Sequence, residues 1–277
     1  IICTGATGPY LLSNTIGRNK HIIPGAVIKE IIDGFEECID TMASFGTKIK
    51  FTGGETADVG DLVKTIIVDS TVACRPKRIE ILEVDIQPDN VIVGFSSYGK
   101  ATYENAYNAG MGSNGLTSGR HDLLHHSYHA KYPESFDINT DEEYIYSGQF
   151  SLTDSLEGTP VDIGKALLSP TRTYAPILNK IMQDNALKDA INGIIHCTGG
   201  AQTKVMKFLD KPLHIIKDSL LEIPPLYKTI HETTGTSMKE MYEVFNMGHR
   251  LEIYCDKTIA NDLISIAASF NVEAQII

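Results

Sequence analysis

The sequence predicts an α/β or α+β protein built as two domains. Three observations carry this. Short runs rich in Val, Ile and Thr alternate with longer segments of helical spacing. A length of 277 residues suits one large domain or two medium ones. A boundary near Arg78 to Asp89, marked by Pro76, the charge cluster after it and the turn-like QPDN (Gln87 to Asn90), parts the chain. The expected division is 1–82 and 83–277.

The elements follow in order. Residues 10–16 read as a short strand. Pro24 and Gly25 open a helix in which Val27, Ile28, Ile31, Ile32, Phe35, Cys38, Ile39, Met42 and Phe45 recur at helical spacing, so one face is expected to be buried. Gly46 stops it. Residues 48–52 and 64–75 read as strands. After the boundary, 91–95 is a buried strand, and a glycine-rich segment leads into a helix reaching His129. The polar stretch 131–158 reads as an inserted excursion. Helices are then expected at 170–183, 201–209, 225–234, 238–245 and 257–270. Strands are expected at 193–197, 213–217, 250–255 and 272–277. No repeat of fixed period is present.

Composition excludes several classes. Hydrophobic residues make up 42% and charged residues 21%, which is an ordinary globular balance. The net charge of −11 disfavours nucleic acid, and the densest basic stretch, CRPKR (Cys74 to Arg78), is short. No apolar run approaches the roughly 20 residues that span a bilayer, and no signal peptide is visible. Five scattered cysteines, odd in number and never C-x-x-C, fit reduced thiols in a cytoplasm. The chain opens on IICTGATGPY without Met and closes on the strand-like VEAQII, so it reads as the interior of a longer protein.

Four segments share one design, an apolar strand, then glycines, then a polar group: FTGGETAD, GFSSYGK leading to GMGSNGLTSGR, IIHCTGGAQTK, and FNMGHR. Glycines let backbone N–H groups point at a ligand and let it come close. Ser113-Asn114-Gly115 and Thr198-Gly199-Gly200 each precede an expected helix, where N–H groups attract anions. One such turn is only a tight connection, whereas four point to a phosphate-rich ligand. Glu55 and Asp58 follow Gly53 and Gly54 at once. Carboxylates at a phosphate site call for a cation between them, and Mg²⁺ takes one or two carboxylates while phosphate supplies other ligands. Glu55 is the first candidate and Asp58 the second, with Asp61 a solvated loop residue. The plain alternative is a polar turn after a strand. His121, His125 and His129 lie four apart and would share a helix face, but no carboxylate or Cys completes a transition-metal set. Cys197 beside His196 reads as structural, because neighbours on a strand point to opposite faces.

Five segments taken in order, GGETAD (53–58), SNG (113–115), LLSPTRTYAP (167–176), HCTGG (196–200) and EMYEVFNMG (240–248), resemble the aminoimidazole ribonucleotide synthetase (phosphoribosylformylglycinamidine cyclo-ligase) family. GGETA together with EMY-x-x-FNMG is specific to it within a wider superfamily. That superfamily also holds formylglycinamide ribonucleotide amidotransferase, selenophosphate synthetase, thiamine-monophosphate kinase and hydrogenase-maturation protein E. The resemblance implies a two-domain fold, with an N-terminal mixed sheet that forms a barrel and a C-terminal α/β sandwich. It implies ATP- and Mg²⁺-dependent closure of formylglycinamidine ribonucleotide to aminoimidazole ribonucleotide in purine synthesis, in the cytoplasm, by a homodimer joined through N-terminal strands.

By position, Glu55 resembles the metal and ATP-phosphate carboxylate, with Asp58 a second metal ligand and Gly53, Gly54 and Thr56 around the nucleotide. Asn114, with Ser113 and Gly115, resembles the loop facing the reacting phosphates, so Glu55 and Asn114 are the catalytic candidates. Thr198, Gly199 and Gly200 resemble the turn bordering the substrate phosphate. Asn246 either lines the cleft or caps the helix ending at Phe245. Arg172 pairs either with a carboxylate or with a phosphate.

The departures from the family pattern are specific. Gly112 stands where the family has His before SNG, His249 and Arg250 follow FNMG in place of small or apolar residues, and the loops at 98–111 and 131–158 are longer. The family's D-G-x-G-T-K stretch and N-D metal aspartate would lie before Ile1. The fragment is therefore expected to lack half its ATP site and not to turn over alone. Two alternatives remain: another ATP-dependent enzyme of the superfamily, and a non-catalytic relative that binds a nucleotide or a partner.

Overall fold

A computed structural model describes residues 1–277. Two sheets share the chain. The first is built on β1 (Tyr10–Arg18), whose alternating Tyr10, Leu12, Asn14 and Ile16 are buried. α1 (Gly25–Ser44) crosses over to β2 (Ile49–Asp58), which pairs parallel to β1, because a parallel neighbour needs a crossover. β3 (Ile66–Ala73) pairs antiparallel on the other side, giving the order β2-β1-β3. The mixed sheet agrees with the expectation for this half of the chain.

Two expectations are corrected here. First, GGETAD is not a turn, since β2 runs straight through it to Asp58. The register with β1 slips between Leu12 and Asn14, and Gly53 sits at that bulge with φ 93°. A Cβ on Gly54 would fall inside the carbonyl of Asn14. Both glycines are thus demanded by strand pairing. Second, α1 buries only Met42; Ile28, Ile31, Phe35 and Ile39 are half-covered, and Val27 and Ile32 are exposed. Leu11, Phe51, Ile67, Val68 and Val72 are exposed on the sheet as well. This half of the chain therefore leaves apolar side chains of both its helix and its sheet open to solvent.

The second sheet is entirely antiparallel, in the order β5-β6-β4-β7. Its strands are β4 (Val91–Ser96), β5 (Ile191–His196), β6 (His249–Cys255) and β7 (Ala274–Ile276). Between β4 and β5 lie α2 (Leu116–Leu123), α3 (Ser127–Lys131), α4 (Ile163–Leu167), α5 (Ala175–Met182) and α6 (Asn185–Asp189). α7 (Pro225–Thr234) and α8 (Met238–Val244) precede β6, and α9 (Ala260–Ser269) precedes β7.

One core packs α5 and α9 on the sheet, through Ile177, Leu178, Ile181, Leu263 and Ala267 against Val93, Phe95, Leu251 and Ile253. Met42 of α1 joins it, and buried Asn179 donates to Thr47 at 2.7 Å, so the two halves are packed and hydrogen-bonded together. A second core gathers α2, α4, α7 and α8 around Met111, Leu123, Tyr227 and Met241. A third lies on the sheet's other face, around Ile92, Ile195, Cys197 and Tyr254.

The expected strand at 213–217 is not formed. Leu213 and Ile215 pack on the third core instead of joining a ladder. The expected helix at 201–209 is a 3-10 helix, Ala201–Phe208. The expected helix through His129 breaks at Leu124 before resuming as α3.

Candidate active site

Three loops, far apart in sequence, meet at one end of the second sheet. The first is 110–115, between β4 and α2. The second is 197–200, after β5. The third is 245–248, before β6. Asn114 Nδ2 lies 3.7 Å from where a Cβ on Gly199 would be, and the ring of Phe245 fills the space beside Gly115. Gln202 Nε2 donates to Asn246 O at 2.7 Å. Positive φ is concentrated here: Gly110, Gly112, Gly115, Gly199, Gly200, Ala201, Met247 and Gly248 all have it. Such backbone is costly for Ala201 and Met247, and it clusters at ligand sites. The loops predicted at 113–115, 198–200 and 246–248 are therefore brought together. GGETAD is held by other neighbours, β1 and α1.

Asn246 ties the cluster rather than presenting a free amide. It is buried; its Oδ1 accepts from Ser97 Oγ (2.5 Å) and Gly248 N (3.2 Å), and its Nδ2 donates to Gly110 O (2.8 Å) and Tyr227 Oη (2.5 Å). Both amide atoms are thus engaged within the fold, where they hold the loops in position. The alternatives for Arg172 also resolve. Its Nε and Nη2 grip Glu104 at 2.9 and 2.7 Å, and Nη1 donates to Ser96 O and Tyr98 O. This is a buried bidentate pair, with no donor aimed at a phosphate.

The two departures after FNMG and before SNG prove to be one feature. Arg250, 3% exposed, lays its guanidinium where any side chain at Gly112 would have to go. Its Nη2 donates to Gly110 O (3.0 Å) and Met111 O (2.9 Å). Gly112, at φ 63°, is required both by its backbone and by this occupant. His249 faces the other way, toward Glu252 (2.9 Å).

His196, beside the 198–200 turn, shares a 2.6 Å hydrogen bond with Thr198 Oγ1. Burial, then the charges of Arg250 and Lys204, hold its imidazole at about 4, so it is neutral at pH 7. The Cys197 thiol is pushed well up, first by burial, which agrees with its structural reading.

The carboxylates of the first sheet sit differently from expectation. Glu55 pairs in register with Thr15, which pairs with Asp69 on the other side. Partners in register share a face, so Glu55 and Asp69 flank exposed Thr15 on one face of the sheet. Asp58, three residues along the strand, falls on the opposite face. It is tied to Lys20 at 2.9 Å, and the hydrogen bond from that ammonium lowers its pKa. Glu55 and Asp58, expected to act together, therefore lie on opposite faces of the sheet, and Asp69 shares the face of Glu55. Sequence reading passed over Asp69; its signal was strand register. Asp61 lies exposed in a turn, as read.

The histidines are also rearranged. His121 is buried, with Nδ1 accepting from Tyr146 N at 3.2 Å, so it does not line up with His125 and His129. The ligand atoms of His126, His129 and Glu142 lie within 4.8 Å of one another on the surface, and these residues could hold a transition metal.

No protein-family model matches the chain. Over its full length it is 28% identical to a phosphoribosylformylglycinamidine cyclo-ligase of Methanocaldococcus jannaschii, covering 67% of that protein. It is also 28% identical to the protein of that name from Methanococcus vannielii, covering 76% of it. The chain thus spans about two thirds to three quarters of the length of these relatives. Among solved structures it resembles Escherichia coli HypE, a hydrogenase maturation protein (TM-score 0.53, 14% identity, 99% of this chain and 69% of that one). It also resembles tt0281 from Thermus thermophilus (TM-score 0.51, 13% identity, 99% and 68%). These structures establish the fold. Over its full length, then, the chain is homologous to curated proteins named phosphoribosylformylglycinamidine cyclo-ligase, the family its motifs resemble.

Proposed function

We propose that the protein carrying this chain closes formylglycinamidine ribonucleotide to aminoimidazole ribonucleotide at the expense of ATP, releasing ADP and phosphate. The observation that supports this most is the convergence of three glycine-bearing loops with left-handed backbone at one end of the second sheet. An amide oxygen leaves poorly in a cyclising dehydration. Transfer of phosphate to it gives an iminophosphate, which the substrate's own amine then displaces. Such a site has little covalent work to do and relies on positioning and charge neutralisation.

Each group has an assigned part. Backbone N–H groups of Ser113, Asn114 and Gly115 and the Asn114 amide orient the reacting phosphate. Thr198, Gly199 and Gly200 border the substrate phosphate. Glu55, with Gly53, Gly54 and Thr56 beside it, serves the nucleotide. Glu55 and Asp69, exposed and without ion-pair partners, fit a hard cation that takes one or two carboxylates. Mg²⁺ held there would neutralise phosphate charge.

The open apolar surface of α1 and the first sheet is consistent with a homodimer joined there. All five cysteines are free, as in a reducing cytoplasm. No helix is long and apolar enough to cross a membrane.

A substrate panel tests the reading. Formylglycinamidine ribonucleotide is expected to stimulate ADP formation by the protein at least about tenfold, with one product ring per ADP. Selenide, thiamine monophosphate or formylglycinamide ribonucleotide as the preferred substrate would assign a different superfamily activity. No ADP with any of them would favour the non-catalytic relative.

A further inference from the structure

In a chain of net charge −11, two cations stand without a carboxylate partner at the meeting point of the three loops. Arg250, almost wholly buried, is held by Gly110 O and Met111 O alone. Half-buried Lys204 donates to Thr198 O at 3.0 Å. These carbonyls fix the cations in place without neutralising them. The contrast with Arg172 and Lys217, each matched to a carboxylate at 2.7 and 2.5 Å, is internal to the same fold. A desolvated, unmatched guanidinium is costly unless an anion completes it.

We propose that Arg250, aided by Lys204, reads the anion in this cleft: its Nη1, beside Gly112 and not used by the two carbonyls, donates to an oxyanion of a phosphate monoester. The proposal rests on the reading of this cleft as the substrate site, and it names the residue that fixes the substrate's charge class. Gly112 is then the complement of Arg250, leaving the guanidinium room beside the 113–115 loop. A guanidinium is more weakly hydrated than an ammonium and keeps its charge when buried, which suits a desolvated phosphate contact.

The probes are ribose 5-phosphate, inorganic phosphate and, as a neutral control, ribose, titrated by calorimetry into the wild-type protein and into Arg250→Met, Arg250→Lys and Lys204→Ala. Ribose 5-phosphate is expected to bind and ribose not to. Arg250→Met should weaken binding about 10- to 100-fold, the range of a charge-assisted pair. Arg250→Lys should recover only part, and Lys204→Ala should weaken binding less. Should Arg250→Met not fold, the wild-type protein still decides by NMR. The His196 imidazole, next to both cations, should titrate at higher pH once saturated with phosphate ester. Unchanged affinity in Arg250→Met, or absence of phosphate-ester binding with His196 unmoved, overturns the proposal. ADP formation by the wild-type protein with formylglycinamidine ribonucleotide, followed in parallel, separates this failure from that of the enzymatic reading: turnover together with unchanged ester affinity in Arg250→Met would overturn only the role given to Arg250.

Discussion

Replacing Glu252 by alanine is expected to cost about 3–5 kcal/mol of folding stability, enough to bring a marginal domain close to unfolding. Glu252 is fully buried on β6. Its Oε1 accepts from Lys217 Nζ (2.5 Å) and His249 Nε2 (2.9 Å), and its Oε2 from Tyr254 Oη (2.7 Å). Removing the carboxylate leaves Lys217 buried and unmatched. The damage reaches the cleft, since Lys217 also donates to Gln202 O (2.8 Å), and Gln202 holds Asn246.

The pH dependence follows the same pairs. Burial alone would raise the Glu252 carboxyl, but the His249 hydrogen bond and the Lys217 charge outweigh it and hold it at about 2, below its ordinary 4.5. A depressed carboxyl stabilises the fold above the unfolded value and ceases to do so as pH falls through the folded one. Wild-type melting temperature should therefore drop between about pH 4.5 and 2. In Glu252→Gln that part of the curve should flatten. Equal acid sensitivity in the two proteins would contradict this account.

Arg172→Ala should be of similar severity, about 3–5 kcal/mol by urea unfolding. It strands the Glu104 carboxylate and the carbonyls of Ser96 and Tyr98. The double change Arg172→Met with Glu104→Met should recover part of the loss, as expected when an ion pair is replaced by apolar groups rather than broken. If the double change proved as damaging as the sum of the singles, Arg172 would not be acting through Glu104.

Much of the fold was legible where local chemistry and tertiary demand agree. α7 occupies 225–234 as read, because Pro225 starts it and Gly235, at φ 66°, ends it. The apolar strands β4 and β6 were found by composition. The run at 213–217 looks like a strand, but its apolar residues pack on a core face without pairing to either edge of the sheet. Gly53 and Gly54 were correctly seen as special, yet a bulge and a ligand turn both ask for glycine. Gly112 and Arg250 each stood out as departures, but only folding places one against the other. Asp69 was invisible because its partner across the sheet, Glu55, is set by register with Thr15.

The central claim is that Glu55 holds a divalent ion that tethers a nucleotide triphosphate. Calorimetric titration of ATP into the protein, with and without Mg²⁺, tests it in the wild type and in Glu55→Gln. Binding should require Mg²⁺ and weaken at least about tenfold on losing this carboxylate. ATP uptake indifferent to Mg²⁺, or equal in the two proteins, would contradict it.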